Sequence, residues 1–228
     1  MTHPGANLRA VIFDLDGTLI DTADDFIPVV QQLRAECGRP PMEAQRIRAS
    51  VSNGSRALVT LALDIEEAAP DFEKHRQRLL TLYGEVLGRH AAPYPGIKAL
   101  LHEFESTGIA WGIATNKPRE YTLPLLAKLG LTPASVVCPD DVTHAKPHPE
   151  SLEKGCRELH CKISEAIYLG DHLRDIQAGK RAGMYTIAAA YGYIEAGDSA
   201  QSWGADAVAQ RSEDLCTLLF YPQEQAHA

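Results

Sequence analysis

Residues 10–18, Ala10-Val11-Ile12-Phe13-Asp14-Leu15-Asp16-Gly17-Thr18, decide the fold. Four apolar residues that end on two acids and a glycine are too few for a helix. They read as a buried strand of a parallel sheet followed by a tight loop. Working outward, the pattern recurs along the 228-residue chain at Ile109–Ala114, Ser135–Cys138, Ala166–Leu169, Thr186–Ala190 and Ala205–Val208. Helix-length periodic stretches lie between these runs. Ile97, Leu100, Leu101 and Phe104 share one helical face. Leu125, Leu126 and Leu129 share another, closed by Gly130 in the position after the helix. Strands alternating with helices imply parallel strands joined by right-handed crossovers, an α/β doubly wound sheet.

Residues 22–91 break the alternation. Thr22 and Asp25 read as a capping box with Asp in place of the usual Glu. Phe26, Val29, Val30, Leu33 and Cys37 follow at helical spacing, then Gly38 and Pro40-Pro41 stop the helix. Helical periods continue through Ile47–Leu63 and Phe72–Leu87, with no strand signal. This is an α-helical insertion of about seventy residues directly after the first strand and its loop. Pro93, Pro95 and Gly96 mark the return to the sheet, which divides the chain into a core of 1–21 plus 92–228 and an insertion of 22–91. The last seven residues, PQEQAHA, read as a frayed tail.

Composition bounds the function. With 45% apolar and 23% charged residues the chain can bury a core and is not disordered. The net charge of −8 argues against nucleic acid or an anionic membrane as partner. No window approaches ~20 continuous apolar residues, and the N-terminus has no signal-peptide pattern. Cysteines at 37, 138, 156, 161 and 216 are odd in number and form no C-x-x-C pair. They read as reduced thiols, and Cys138 with His144 and His148 matches no structural zinc spacing. A soluble cytoplasmic protein is expected, and a monomer, because a helical insertion of this size can cover a site by itself.

Ligands of open parallel sheets bind beyond the carboxyl ends of the strands. Four such ends carry reactive groups here: Asp14-Leu15-Asp16-Gly17-Thr18, Thr115-Asn116, Lys146-Pro147, and Gly170-Asp171 with Asp175 four residues on. Each alone is ordinary turn or helix-start chemistry. Their conjunction in this order points to phosphoryl transfer. A phosphomonoester is a dianion, so a carboxylate nucleophile needs a divalent cation beside it. Mg²⁺ takes oxygen ligands and usually one or two carboxylates. Asp14 and Asp171 can supply these, the Asp16 carbonyl a further oxygen, and Asp175 an anchor for a metal-bound water. Attack by Asp14 gives an aspartyl-phosphate and splits one hard displacement into two. Asp16, two residues along, is placed to protonate the leaving oxygen and then to activate water. The Thr115 hydroxyl, N–H groups at the helix start and Lys146 are placed to bind the spread phosphoryl charge.

These residues resemble the haloacid dehalogenase superfamily of phosphatases, whose four motifs all have counterparts here. The resemblance implies a Rossmann-like core, Mg²⁺ and a helical lid of the C1 cap type. It makes Asp14 the nucleophile and Asp16 the acid/base, with Thr115 and Lys146 at the phosphate and Asp14, Asp16 and Asp171 at the metal; Asn116, next to Thr115, is a further candidate for substrate binding. The second acid, Asp16, favours phosphate esters over dehalogenation or phosphonate cleavage. Val51-Ser52-Asn53-Gly54-Ser55 is similar to the phosphoglycolate phosphatase group. Trp111-Gly112, Thr115–Pro118, Cys138-Pro139-Asp140, Leu173–Ile176, Tyr191-Gly192-Tyr193 and Trp203–Asp206 are more similar to the related N-acetylmuramic acid 6-phosphate phosphatases of peptidoglycan recycling. That group carries Asp at the position of His172, which reads first as a variable, solvent-facing site and second as a change of local charge beside Asp171 and the metal. The expected substrate is a small carboxylated phosphate ester, read by Asn53, Gly54 and Arg56 of the cap, Arg56 as a clamp for its anionic group. A sugar-phosphate mutase is the competing enzyme class, and a binding protein on a retired phosphatase fold is the non-enzymatic one.

Overall fold

The computed structural model describes residues 1–221; the tail expected at 222–228 lies outside the described residues. Eight strands form in chain order: β1 (Ala10–Phe13), β2 (Ile20–Asp21), β3 (Ala92–Pro93), β4 (Ala110–Ala114), β5 (Ser135–Val137), β6 (Ala166–Gly170), β7 (Tyr185–Ala189) and β8 (Ala207–Ala209). Six of them make one parallel sheet in the order β5-β4-β1-β6-β7-β8. The chain builds one side from β1 through β4 to β5, then returns to β6 on the other side of β1. This reversal is the crevice where doubly wound sheets place ligands.

The β1 run is fully buried because it is the central strand, covered on both faces. Its side chains alternate, as the pleat demands. Val11 and Phe13 join the larger core, and Ala10 and Ile12 join a second cluster with Leu152, Cys156 and Tyr168. Helix α5 (Ile97–Thr107) buries Ile97, Leu100, Leu101 and Phe104, the face read from the sequence. Helix α6 (Arg119–Leu129) ends at Gly130 with φ +65°, the left-handed conformation that closes a helix. Helices α7 (Glu150–Glu158), α8 (Leu173–Ala182) and α9 (Leu215–Phe220) complete the core elements.

Residues between β2 and β3 form the helices α1 (Ala23–Glu36), α2 (Ala44–Ala49), α3 (Gly54–Leu63) and α4 (Phe72–Val86). β2 and β3 themselves pair antiparallel, Ile20 with Pro93 and Asp21 with Ala92, a two-strand ribbon that the sequence reading missed. The helical period read through Ile47–Leu63 is broken at residues 50–53. A 3-10 turn, Val51–Asn53, intervenes, and α3 restarts at Gly54 with φ +83°. The capping box at Thr22 and Asp25 does not form. Thr22 is itself in the helical region, so its side chain cannot face the helix N–H groups. Its hydroxyl donates to Asp16 Oδ1 at 2.6 Å instead. Asp25 is fully buried and accepts from the N–H groups of Gly88 and His90 at 2.6 and 2.7 Å, closing the end of α4. Phe26 of α1 stacks on Tyr83 of α4 at 4.0 Å, and Tyr83 meets Tyr121 of α6 at 5.6 Å, so one apolar cluster runs from the helices into the sheet layer.

Candidate active site

The loop after β1 is shaped by Asp171, which follows β6. Gly17 has φ +79°, and a Cβ there would lie 2.0 Å from Asp171 Oδ2. Only glycine satisfies both the conformation and the close approach. Thr18 is buried and its Oγ1 donates to Asp171 Oδ1 at 3.3 Å. The strand pairing of β1 with β6 brings Asp14 and Asp171 to the same sheet end. Asp14, Asp171 and Asp175 each offer an oxygen within 4.8 Å of the others, and all three are buried.

Lys146 arrives from the loop after β5. Its buried Nζ lies 2.8 Å from Asp14 Oδ1 and 2.7 Å from Asp175 Oδ1, and donates to the Tyr168 hydroxyl at 2.8 Å. Burial alone would lower the Lys146 pKa, but Asp14 and Asp175 outweigh it and raise the value, so the ammonium stays charged. Asp14 Oδ1 makes this ion contact without a directed hydrogen bond. Burial pushes Asp171 well above the carboxylate range, and the neighbouring Asp14 and Asp175 add to it. Burial likewise raises Asp175, with Asp14 adding and Lys146 opposing. Three buried acids share one lysine, a crowding that raises Asp171 and Asp175 and that a cation would relieve, and oxygen-only donors suit a hard divalent ion.

Asp16 points its carboxylate elsewhere. It accepts from Thr22 and pairs with Lys117 Nζ at 3.1 Å. Lys117 is buried between that acid and two rings, 4.6 Å from the Tyr83 centroid and 5.1 Å from Phe26. Burial lowers its pKa, but Asp16 outweighs that and raises it. Sequence reasoning missed Lys117 as a site residue. Its signal was a lysine one residue before Pro118, directly after the Thr115-Asn116 strand end.

Thr115 is buried, and its Oγ1 accepts from the Lys117 N–H at 3.1 Å. Its own proton is therefore left to donate into the cavity. Asn116 lines the cavity and also holds the lysine loop. Its amide donates to Lys146 O at 3.0 Å and accepts from Lys146 N at 3.1 Å, clasping the lysine loop.

Above these groups lies a cavity of about 740 Å³, lined from below by Asp14, Asp16, Thr115 and Lys146. Gly54, Arg56, Arg76 and Gln77 line it from the helical side, with Tyr121 and Arg174 beside them. Arg56 pairs with Glu67 at 3.0 Å and Glu73 at 3.7 Å, while Arg76 pairs with Glu73 at 2.6 Å. Asn53 lines the cavity too and ties its turn to the sheet layer: its Oδ1 accepts from His172 Nε2 at 3.0 Å and its amide donates to Glu195 at 2.6 Å. His172 is therefore not the solvent-facing site expected. It is partly buried, accepts at Nδ1 from Arg174 N, and burial with the nearby Arg174 charge lowers its pKa to about 4. On an exposed loop His144 and His148 converge with Glu150 at the start of α7, while the buried Cys138 stays apart.

A parallel α/β sheet that gathers aspartates, a threonine and a lysine at its carboxyl edge defines a Rossmann-like enzyme of phosphoryl chemistry. The comparisons make the class specific. Residues 11–189 match the model of haloacid dehalogenase-like hydrolases, and the chain belongs to that family. It is 43% identical over 214 residues to the N-acetylmuramic acid 6-phosphate phosphatase of Pseudomonas aeruginosa, covering 93% of this chain and 95% of that one. It is 35% identical over 217 residues to the phosphoglycolate phosphatase of Xanthomonas campestris, covering 94% and 98%. A crystal structure of a predicted phosphoglycolate phosphatase from Haemophilus somnus shares the fold, with TM-score 0.83 at 22% identity over 93% of this chain and 98% of that one.

Proposed function

We propose that the chain is a Mg²⁺-dependent phosphomonoesterase acting on N-acetylmuramic acid 6-phosphate. The observation that carries the reaction class is the contact of Lys146 with Asp14 on the floor of the cavity, beside Asp171 and Asp175. The Asp14 and Asp171 carboxylates and the Asp16 carbonyl would hold the cation, with Asp175 outside them. Bound there, Mg²⁺ supplies the positive charge that lets a carboxylate approach a phosphate dianion.

Asp14 attacks phosphorus, and the bond to the leaving oxygen breaks as the aspartyl-phosphate forms. Asp16, steadied by Thr22 and Lys117, gives that oxygen its proton. In the second step Asp16 takes a proton from water, the water oxygen bonds to phosphorus, and Asp14 is released. Lys146 and the free proton of Thr115 hold the equatorial oxygens throughout. Asn116 acts by fixing the lysine loop. Residues 22–91 serve as the cap and 1–21 with 92–228 as the core. Arg56, beside Gly54, remains the group we assign to the substrate carboxylate, because its present partners are exposed and exchangeable.

The substrate reading is supported by the muramic acid phosphate relatives and by the cavity. A space of about 740 Å³ suits a sugar acid better than the few atoms of glycolate. Among the described residues no helix is long and apolar enough to cross a membrane, and the cysteines are unpaired thiols. Free thiols fit work in the reducing cytoplasm. The test compares kcat/KM for N-acetylmuramic acid 6-phosphate, phosphoglycolate and glucose phosphates, with and without a chelator. A preference of about tenfold or more for the muramic acid ester supports the reading. The reverse order transfers the assignment to phosphoglycolate, and an isomerised sugar in place of free phosphate overturns hydrolysis.

A further inference from the structure

The 3-10 turn Val51–Asn53 reaches across from the helical layer and places Ser52 on Asp171. Ser52 Oγ donates to Asp171 Oδ2 at 2.9 Å and lies 3.5 Å from Asp16 O. The same Oδ2 accepts from Tyr193 N at 2.9 Å, and Oδ1 accepts from Thr18. Three donors therefore set the rotation of this carboxylate, and one belongs to the cap. The turn that carries Ser52 is itself gripped by the core. Arg174 donates to Ser52 O, His172 Nε2 donates to Asn53 Oδ1, and Glu195 accepts from the Asn53 amide. His172 and Arg174 lie one and three residues after Asp171, so the segment that presents the acid also presents the grip.

We propose that Ser52 is a positioning residue for Asp171, so that docking of the cap turn and binding of the divalent cation strengthen each other. The chemistry is that of an outer hydrogen-bond partner orienting a metal-ligating carboxylate. Such partners reduce the freedom a ligand loses when the ion arrives. Ser52 performs this only while the turn is seated. By reciprocity, a cation on Asp171 must then favour the seated turn by the same factor. His172, Arg174 and Glu195 act through the turn and need no contact with the ion. This inference rests on the reading above in one respect, that Asp171 is a metal ligand.

The test uses the full-length chain without substrate. Mg²⁺ affinity is measured by titration calorimetry for the wild type and for Ser52→Ala, Ser52→Thr, Arg174→Met and Asp171→Asn. Limited proteolysis follows the 39–53 segment with and without Mg²⁺, and thermal melts check that each variant is folded. The expected result is a loss of about tenfold in affinity for Ser52→Ala, recovery in Ser52→Thr, and a smaller loss for Arg174→Met. Mg²⁺ should protect the segment in the wild type and fail to do so in Ser52→Ala. A folded Ser52→Ala that binds Mg²⁺ like the wild type overturns the proposal and leaves the metal reading standing. Weakening that Ser52→Thr does not recover assigns the effect to packing and also overturns it. If the wild type binds no better than Asp171→Asn, the metal reading falls and takes this proposal with it.

Discussion

Two sets of ion pairs meet the same cavity, one through Asp14 and Lys146 and the other through Arg56 and Arg76, and they are built in opposite ways. On the core side, Lys146 is 1% exposed and sits between Asp14 and Asp175, each 11% exposed or less. On the helical side, Arg56 is 53% exposed and its partner Glu67 57%, with Glu73 at 59% shared between Arg56 and Arg76. Stripping water from charges is costly, so the core set holds only because its partners are fixed at contact distance. The cap set is solvated, and each arm can exchange one carboxylate for another at little cost. The difference gives each side its own physics, fixed desolvated charges on one and solvated exchangeable charges on the other, and the proposed division between chemistry and substrate choice follows it.

The core side should fail completely when touched. Asp14→Asn should abolish phosphate release while circular dichroism and melting stay near wild type; turnover at the wild-type rate would remove the nucleophile assignment. Lys146→Met leaves Asp14 and Asp175 facing each other unpaired. Loss of one partner of a buried pair costs about 3–5 kcal/mol, measurable by urea unfolding, and phosphate release should vanish with it. The cap side should bend instead of breaking. Arg56→Ala should raise KM for the muramic acid ester by about tenfold with kcat and melting temperature nearly unchanged. A fall in kcat like that of Lys146→Met would show that the two sides do not divide the work. The smallest effect is electrostatic. Arg78 holds the exposed Glu36 at about 2, below its ordinary value of 4.5. The pair's stabilisation is complete above pH 4.5 and fades as pH falls towards 2. Arg78→Ala should therefore lower the melting point slightly at pH 7 and hardly at all at pH 2.

The division also explains what the sequence could reveal. The strand runs were legible because parallel strands buried on both faces read as unbroken apolar segments. The four motif ends were legible because each follows such a run, and the sheet brings Asp14, Thr115, Lys146 and Asp171 to one cavity or its floor. Lys117 and Tyr168 were not legible. The first looks like a helix-start residue, and the second occupies an ordinary strand position. Their work, on Asp16 and on Lys146, appears only when distant segments meet. The cap turn was half legible. Asn53 and Gly54 stood out as candidate contacts although the helical period was read straight through them, and the neighbour that matters for Asp171 is Ser52, while for Asn53 it is His172. The failed capping box has the same cause. Thr22 and Asp25 match a local motif, yet Asp16 and the end of α4 claim their oxygens first.

The two-strand ribbon has a consequence for inheritance. Asp21 and Ala92 face each other across a single strand pairing, so the chain leaves the sheet layer and re-enters it at one doorway. Neighbouring strands lie about 4.8 Å apart, a gap a tight turn can span. The entropy of closing a loop there rises by only about 0.6 kcal/mol for each doubling of its length. Insertions of very different size can therefore be received at this doorway while every pairing of the six-stranded sheet stays in register. If residues 22–91 choose the substrate, as proposed above, that segment can be renewed while Asp14, Lys146 and Asp171 stay where they are.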